Sequence, residues 1–320
     1  MNINLSDSRL NIPARFTACG GTNRIMRRLL TCFVAILALC PLIGAQPTPD
    51  WTTPLTPFQI ADNLFYVGSR DLASYLITTP SGNILINAGL ESSPPMIRAS
   101  VEKLGFRWAD TKILLNGQAH NDHVGGAAQV IRETHAKNYV MEYDAQLMET
   151  GGATDFARQS DGIHAYPPSR VDRVLRDGDT VKLGGVTLTA HKTAGHTRGC
   201  TTWTLRVHVP GEPAGQLRDV VILGGFAALS GYRMIDRPGH PASYPGIAGD
   251  FQQTFVTLRN LPCDIPLGAH GIYFDLLAKA DRMAKQGPGV WIDPEGYRET
   301  VADAEASFKK MLAEQRASAR

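Results

Sequence analysis

The chain has 320 residues, 43% hydrophobic and only 19% charged, which supplies a large core and excludes a disordered chain. Its formal charge of +2 is local, because five of the 32 basic residues, but only one of the 30 acidic ones, fall in residues 1–46. The rest is slightly acidic, which excludes the basic footprint of a nucleic-acid-binding surface.

The N-terminus predicts export. Met26-Arg27-Arg28 precedes an apolar run from Leu29 to Cys40, and the small residues Gly44-Ala45 follow. The run is short of the roughly 20 residues that span a bilayer. Residues 1–45 are therefore expected to be a signal peptide cut near Ala45, leaving residues 46–320 as one domain in the periplasm with no stable membrane association. Residues 1–25 are polar, unlike an ordinary leader, so translation from Met26 is an alternative start. Leu39 directly before Cys40 argues against lipid attachment. Cleavage removes Cys19, Cys32 and Cys40 and leaves Cys200 and Cys263, whose pairing spacing alone does not decide.

Along the body, Phe58–Val67, Leu72–Thr79 and Asn83–Asn87 read as strands bounded by turn signals such as Pro80-Ser81-Gly82-Asn83. Pro94–Leu104 has helical spacing, Lys112–Asn116 is a buried strand, Gly126–Ala136 a helix and Asn138–Met141 a strand. Residues Thr150 to Arg170 are polar and aperiodic, a length that suggests a functional loop. Val171–Leu175, Thr180–Leu183, Val186–His191, Thr201–Val209 and Val220–Leu223 give a second set of strands. Helices follow at Asp250–Leu261, Tyr273–Lys285 and Pro294–Ala317. The expected architecture is α+β, a four-layer αββα sandwich with the site on loops at one edge.

One stretch concentrates the chemistry. Gln118-Ala119-His120-Asn121-Asp122-His123 puts an amide, two imidazoles and a carboxylate into six residues ahead of Gly125-Gly126. His196 and His270 sit in tight-turn settings, Ala-Gly-His-Thr and Gly-Ala-His-Gly. In an extended turn, residues two apart point the same way, so Gln118 and His120 would face one metal and Asp122 and His123 an adjacent position. Imidazole nitrogen and carboxylate oxygen suit zinc, and three protein ligands leave a catalytic position open. Asp122, His123 and His270 make one such set. Gln118, His120 and His196 make a second, with a neutral amide as the poorer ligand, so it is expected to bind weakly or stay empty. The competing reading, a polar loop with Asp122 as helix N-cap, leaves four histidines unexplained. His164, His191, His208 and His240 read as ordinary surface or core residues, and Cys200 as a buried small residue before a metal neighbour.

The His-x-Asp-His core, the later Ala-Gly-His-Thr and the Leu-Pro-Cys-Asp…Ala-His segment resemble the metallo-β-lactamase superfamily. Thr56-Pro57-Phe58-Gln59-Ile60, Tyr66-Val67-Gly68, Asn83-Ile84-Leu85-Ile86-Asn87 and Gly195 through Trp203 are similar to its third β-lactamase subclass. The likeness runs from about Trp51 to the final helix. It implies the αββα fold and hydrolysis of the β-lactam amide by zinc-bound hydroxide. Gln118, His120 and His196 fall on the family's first zinc site, and Asp122, His123 and His270 on its second. The usual first ligand is His. Gln118 matches a minority branch thought to work with one zinc in the Asp-His-His site. A second departure is Leu223-Gly224-Gly225-Phe226-Ala227-Ala228, where related hydrolases carry Asp, Cys or Ser. Phe226 there either walls the pocket or packs in the core. Cys263 matches a half-cystine of some relatives, but its C-terminal partner is missing, so no disulfide is expected.

The resemblance implies an exported zinc β-lactamase acting on a small-molecule β-lactam, with Asp122, His120 and His196 as catalytic residues. One tightly bound zinc and a second weak or absent one are expected, and a monomer is the favoured state. Two other readings are carried: a lactone or thioester hydrolase of the same fold, and a non-enzymatic exported zinc-binding protein.

Overall fold

A computed structural model describes residues 49–158 and 163–319, so the predicted signal segment lies outside the described residues. Among them, seven strands form a first sheet in chain order: β1 Phe58–Ala61, β2 Leu64–Tyr66, β3 Tyr75–Thr79, β4 Gly82–Ile86, β5 Thr111–Leu115, β6 Lys137–Met141 and β7 Arg173–Leu175. Strands β1 to β4 are antiparallel neighbours, and β4 to β7 are parallel. A second sheet contains β8 Thr180–Leu183, β9 Val186–Lys192, β10 Thr201–Val207, β11 Arg218–Leu223 and β12 Ile265–Gly268, ordered β12-β11-β10-β9-β8. Only the β11–β12 pair in it is parallel.

Helical elements are α1 Pro49–Thr52, α2 Pro94–Lys103, α3 Asn121–Val124, α4 Ala127–Thr134, α5 Asp144–Thr150, α6 Ile247–Asn260, α7 Leu276–Gln286 and α8 Pro294–Ala317. None of these helices is long and apolar enough to cross a membrane.

Alternating side chains explain the layers, because successive strand residues face opposite sides. Ile84, Ile86, Ile113 and Leu115 point between the sheets, where they meet Leu188, Trp203, Leu205, Val220 and Ile222. Leu85 and Leu114 point outward onto Ile97 and Val101 of α2, Val130 and Ile131 of α4, and Leu147 of α5. Val221 and Leu223 face Phe251 and Phe255 of α6 and Phe308 of α8. Each fully buried aliphatic side chain of this kind contributes about 1.5–3 kcal/mol. The result is the expected αββα sandwich.

The differences from expectation are local. Phe58–Val67 is a hairpin, turned at Asp62-Asn63, and not one strand. Strand β12 escapes a pattern reading because it is short and carries Pro266; it survives at the sheet edge, where a missing N–H costs no ladder bond. Helix α5 has only 7 residues and starts from an unusual backbone at Tyr143, φ 71° and ψ −40°. The helix expected from Tyr273 begins only at Leu276, since Gly271–Tyr273 is a 3-10 turn and Asp275 has φ 57°.

The two sheets are tied together at one end. Thr201 N donates to Gly117 O at 2.7 Å, and Ala73 N donates to Ala269 O at 2.9 Å. The loops leaving β5, β9, β11 and β12 therefore converge there.

Candidate metal centre

The exit of β5 is fixed before any ligand appears. Asn87 Oδ1 accepts from Gly117 N at 2.9 Å, and Trp203 Nε1 donates to Asn116 O at 3.0 Å. After a bend at Gly117, His120 has extended backbone (φ −87°, ψ 155°), and the chain then makes the single helical turn α3. Asp122 and His123 are therefore placed by a helical turn and not by the extended turn expected for them. Asp122 is not a helix N-cap; His120 occupies that position, and its side chain makes no capping bond. Gly125 and Gly126 are required by crowding: a Cβ at Gly125 would lie 2.5 Å from Asn121 O, and one at Gly126 would lie 2.4 Å from Ala88 O.

Asp122, His123 and His270 come together, with one potential ligand atom from each within 4.8 Å of the others. Asp122 Oδ2 is 3.1 Å from His123 Nε2 and 3.4 Å from His270 Nε2. Burial alone would raise the Asp122 carboxyl, but the neighbouring His123 and His270 rings hold it well below the usual carboxylate range. Burial pushes the His123 imidazole down, so it is neutral with a lone pair to offer. Both His123 ring nitrogens are buried without a directed hydrogen bond. His270 Nδ1 donates to Asp71 Oδ2 at 2.9 Å, leaving Nε2 for the centre. Burial opposes charge on His270, yet Asp122 and Asp71 raise it to about 9. Asp71 is itself fixed by Trp51 Nε1 at 2.9 Å and Ile272 N at 3.2 Å.

Gln118, His120 and His196 form the adjacent half-site. The rings of His120 and His196 meet edge to face, centroids 4.8 Å apart. His196 Nδ1 donates to Ala227 O at 2.7 Å, so Nε2 keeps the lone pair. Burial and the nearby His120 push His196 down to about 3. His120 Nε2 lies 3.3 Å from the buried Asp155 carboxylate, off the line of a directed bond; burial opposes charge on His120, and Asp155 raises its pKa. Gln118 Oε1 is buried with no hydrogen-bond partner.

Buried polar atoms normally find partners, and leaving one unmet costs about 1–3 kcal/mol. Here both nitrogens of His123 and Gln118 Oε1 stand without one at a single locus, while His120 Nε2 and Asp155 Oδ2 have only each other, 3.3 Å apart. Neutral imidazoles, an ionised carboxylate and carboxylate-backed rings are the donor set of a zinc-type site. The residues fit a metal.

All six sequence-predicted ligands thus gather in one place. Sequence reasoning missed Asp71, Asp144 and Asp155, which lie far from the histidines along the chain; the only signal was the aperiodic 150–170 loop that carries Asp155. Phe226 is buried against Tyr273, centroids 4.6 Å apart, so it packs in the core. Gly225 is the residue beside the ligands: a Cβ there would lie 2.8 Å from His196 Cδ2 and 3.1 Å from Gln118 Nε2. Cys200 is buried behind the site, its Sγ donating to Gly225 O at 3.0 Å, and burial pushes its thiol to about 12. Cys263 is a free thiol, with no disulfide among the described residues.

A family model described as the metallo-β-lactamase superfamily matches residues 70–208. The native FEZ-1 metallo-β-lactamase from Legionella gormanii is 43% identical, with a TM-score of 0.78 over 82% of this chain and 98% of that one. BJP-1, a subclass B3 metallo-β-lactamase of Bradyrhizobium japonicum, is 34% identical with a TM-score of 0.76, covering 85% and 99%. A metal-dependent hydrolase of Cupriavidus taiwanensis is 29% identical over 57% of this chain, and the chain spans only 63% of that relative's length. The chain belongs to the metallo-β-lactamase superfamily, with subclass B3 β-lactamases among its structural neighbours.

Proposed function

We propose that this protein is a zinc-dependent β-lactamase that works with one tightly held zinc at Asp122, His123 and His270. The observation that carries the reading is that buried triad, with His270 backed by Asp71 and the adjacent half-site weakened by Gln118. Likeness to β-lactamases over nearly their whole length supports the substrate class. We further propose, from residues 26–45, that the chain is exported to the periplasm and acts there as a monomer.

A zinc held by these three residues would activate a water and supply positive charge beside the departing lactam nitrogen. Asp122 orients the attacking water. His196 presents Nε2, and His120 Nδ1, as lone pairs that hold the water's hydrogens toward the Gln118 side. Attack on the strained carbonyl breaks the C–N bond, and the proton ends on the lactam nitrogen. No serine or cysteine nucleophile is needed, in keeping with the buried Cys200.

The test is zinc per protomer together with hydrolysis of a chromogenic cephalosporin and a carbapenem, with and without chelator. Chelator-sensitive turnover at about one zinc is the expected result. Zinc binding with every β-lactam left intact would overturn the substrate and favour lactone or thioester hydrolysis.

A further inference from the structure

We propose that Tyr143 and Asp144 form a clasp that sets the distance between the two loops bearing Gln118, His120 and His196, with Asp144 as the positioning residue. The inference rests on the reading above only in treating that half-site as part of the reaction centre.

Asp144 is 1% exposed and touches none of the six ligands. Its carboxylate instead accepts from three donors on the two ligand loops. Oδ2 takes Ala119 N at 3.0 Å and Thr197 Oγ1 at 2.7 Å, and Oδ1 takes Gly199 N at 2.8 Å. Ala119 separates Gln118 from His120, and Thr197 follows His196. One anion therefore pins the main chain on both sides of the half-site with charge-assisted bonds.

A role in ending or starting a helix does not account for this. Asp144 opens α5, yet none of these bonds caps its own helix. A buried ion is a poor way to add stability where apolar packing would serve, which leaves geometry as what this one provides.

The residue before it carries the cost. Tyr143 has φ 71° and ψ −40°, a region non-glycine residues avoid and keep only where surroundings over-determine it. That backbone turns Asp144 inward and Tyr143 outward, where its ring takes the Arg198 guanidinium at 4.4 Å and the Lys192 ammonium at 4.9 Å. Arg198 also lies 5.3 Å from the Tyr244 ring and sits between Thr197 and Gly199, the two residues Asp144 holds. The His196 loop is thereby gripped from its buried and its exposed side.

The test uses Asp144→Asn and Thr197→Val in the full chain, read by imidazole nitrogen NMR after chelator treatment and again with zinc restored. The His120 and His196 signals should move in both variants while those of His123 and His270 hold. Zinc at the Asp122 triad should keep its affinity in chelator competition, and kcat should fall about 10- to 100-fold. Unmoved His120 and His196 signals, or all four rings shifting together, would overturn the clasp. If Asp144→Asn fails to fold, Thr197→Val removes a single donor at nearly constant shape and reads the same signals. Loss of the β-lactamase reading with the selective NMR shift intact would sink the function and leave the clasp standing.

Discussion

The two halves of the centre share a wall but differ in charge. The Asp122 side has an ionised ligand and a second carboxylate, Asp71, behind His270. The Gln118 side has a neutral amide, a carboxylate behind His120 at poor angle, and a bare glycine, Gly225, against the His196 ring and the Gln118 amide. Backing carboxylates raise the basicity of an imidazole, and anionic ligands offset a divalent charge directly. The comparison teaches that two adjacent sets of three residues can share one wall and still differ in ligand charge and in how their imidazoles are backed.

The largest effect is expected at the complete half. Asp122→Ala removes the anion between His123 and His270, and turnover should fall at least roughly 1,000-fold, about 4 kcal/mol of transition-state stabilisation. Elemental analysis should show zinc near zero per protomer. Near-normal turnover in this variant would end the assignment of Asp122. Asp71→Asn comes next, because it leaves the ligands in place and spoils only the orientation and basicity of His270. Zinc affinity by chelator competition should drop about 10- to 100-fold. An unchanged affinity would show that Trp51 and the Ile272 amide hold a carboxylate with no bearing on the metal.

How much of this could be read beforehand follows the physics. Each ligand type announces itself by chemistry, and all six sit in short motifs with glycine, so Gln118, His120, Asp122, His123, His196 and His270 were visible as residues. Their partners were not. Asp71, Asp144 and Asp155 are single carboxylates in unremarkable surroundings, brought to the centre by strand pairing and loop return across tens of residues. The sandwich was visible because apolar strands buried on both faces leave a strong pattern. The short α5 and the proline-bearing β12 left almost none. Phe226 drew attention in place of Gly225 for the same reason: a pattern displays a large side chain and hides a missing one.

The weaker half is open to repair. Gln118→His replaces an amide with an imidazole beside His120 and His196, and zinc per protomer should rise from about one toward two. A count that stays at one would place the defect elsewhere in that half, with Gly225 the first suspect.

Gly225→Ala gives the smallest effect and the sharpest one. Neither Gly224 nor Gly225 has a positive φ, so neither is needed for its backbone conformation. Their neighbours differ. A Cβ at Gly224 would strike the carbonyl oxygens of Thr201 at 2.2 Å and Gly117 at 2.4 Å, which are rigid backbone joining the sheets. A Cβ at Gly225 meets the His196 ring and the Gln118 amide, side chains with some freedom to yield. Overpacking of that kind costs about 1–3 kcal/mol, visible as a modest fall in melting temperature. Gln118→Ala should recover only part of it, since the Gln118 contact is the looser and the His196 contact at 2.8 Å remains. In the Gln118→His background, Gly225→Ala should lower the second zinc's occupancy while the first keeps its affinity. A loss shared equally by both zincs would mean that the two halves respond as one unit, and the comparison between them would no longer hold.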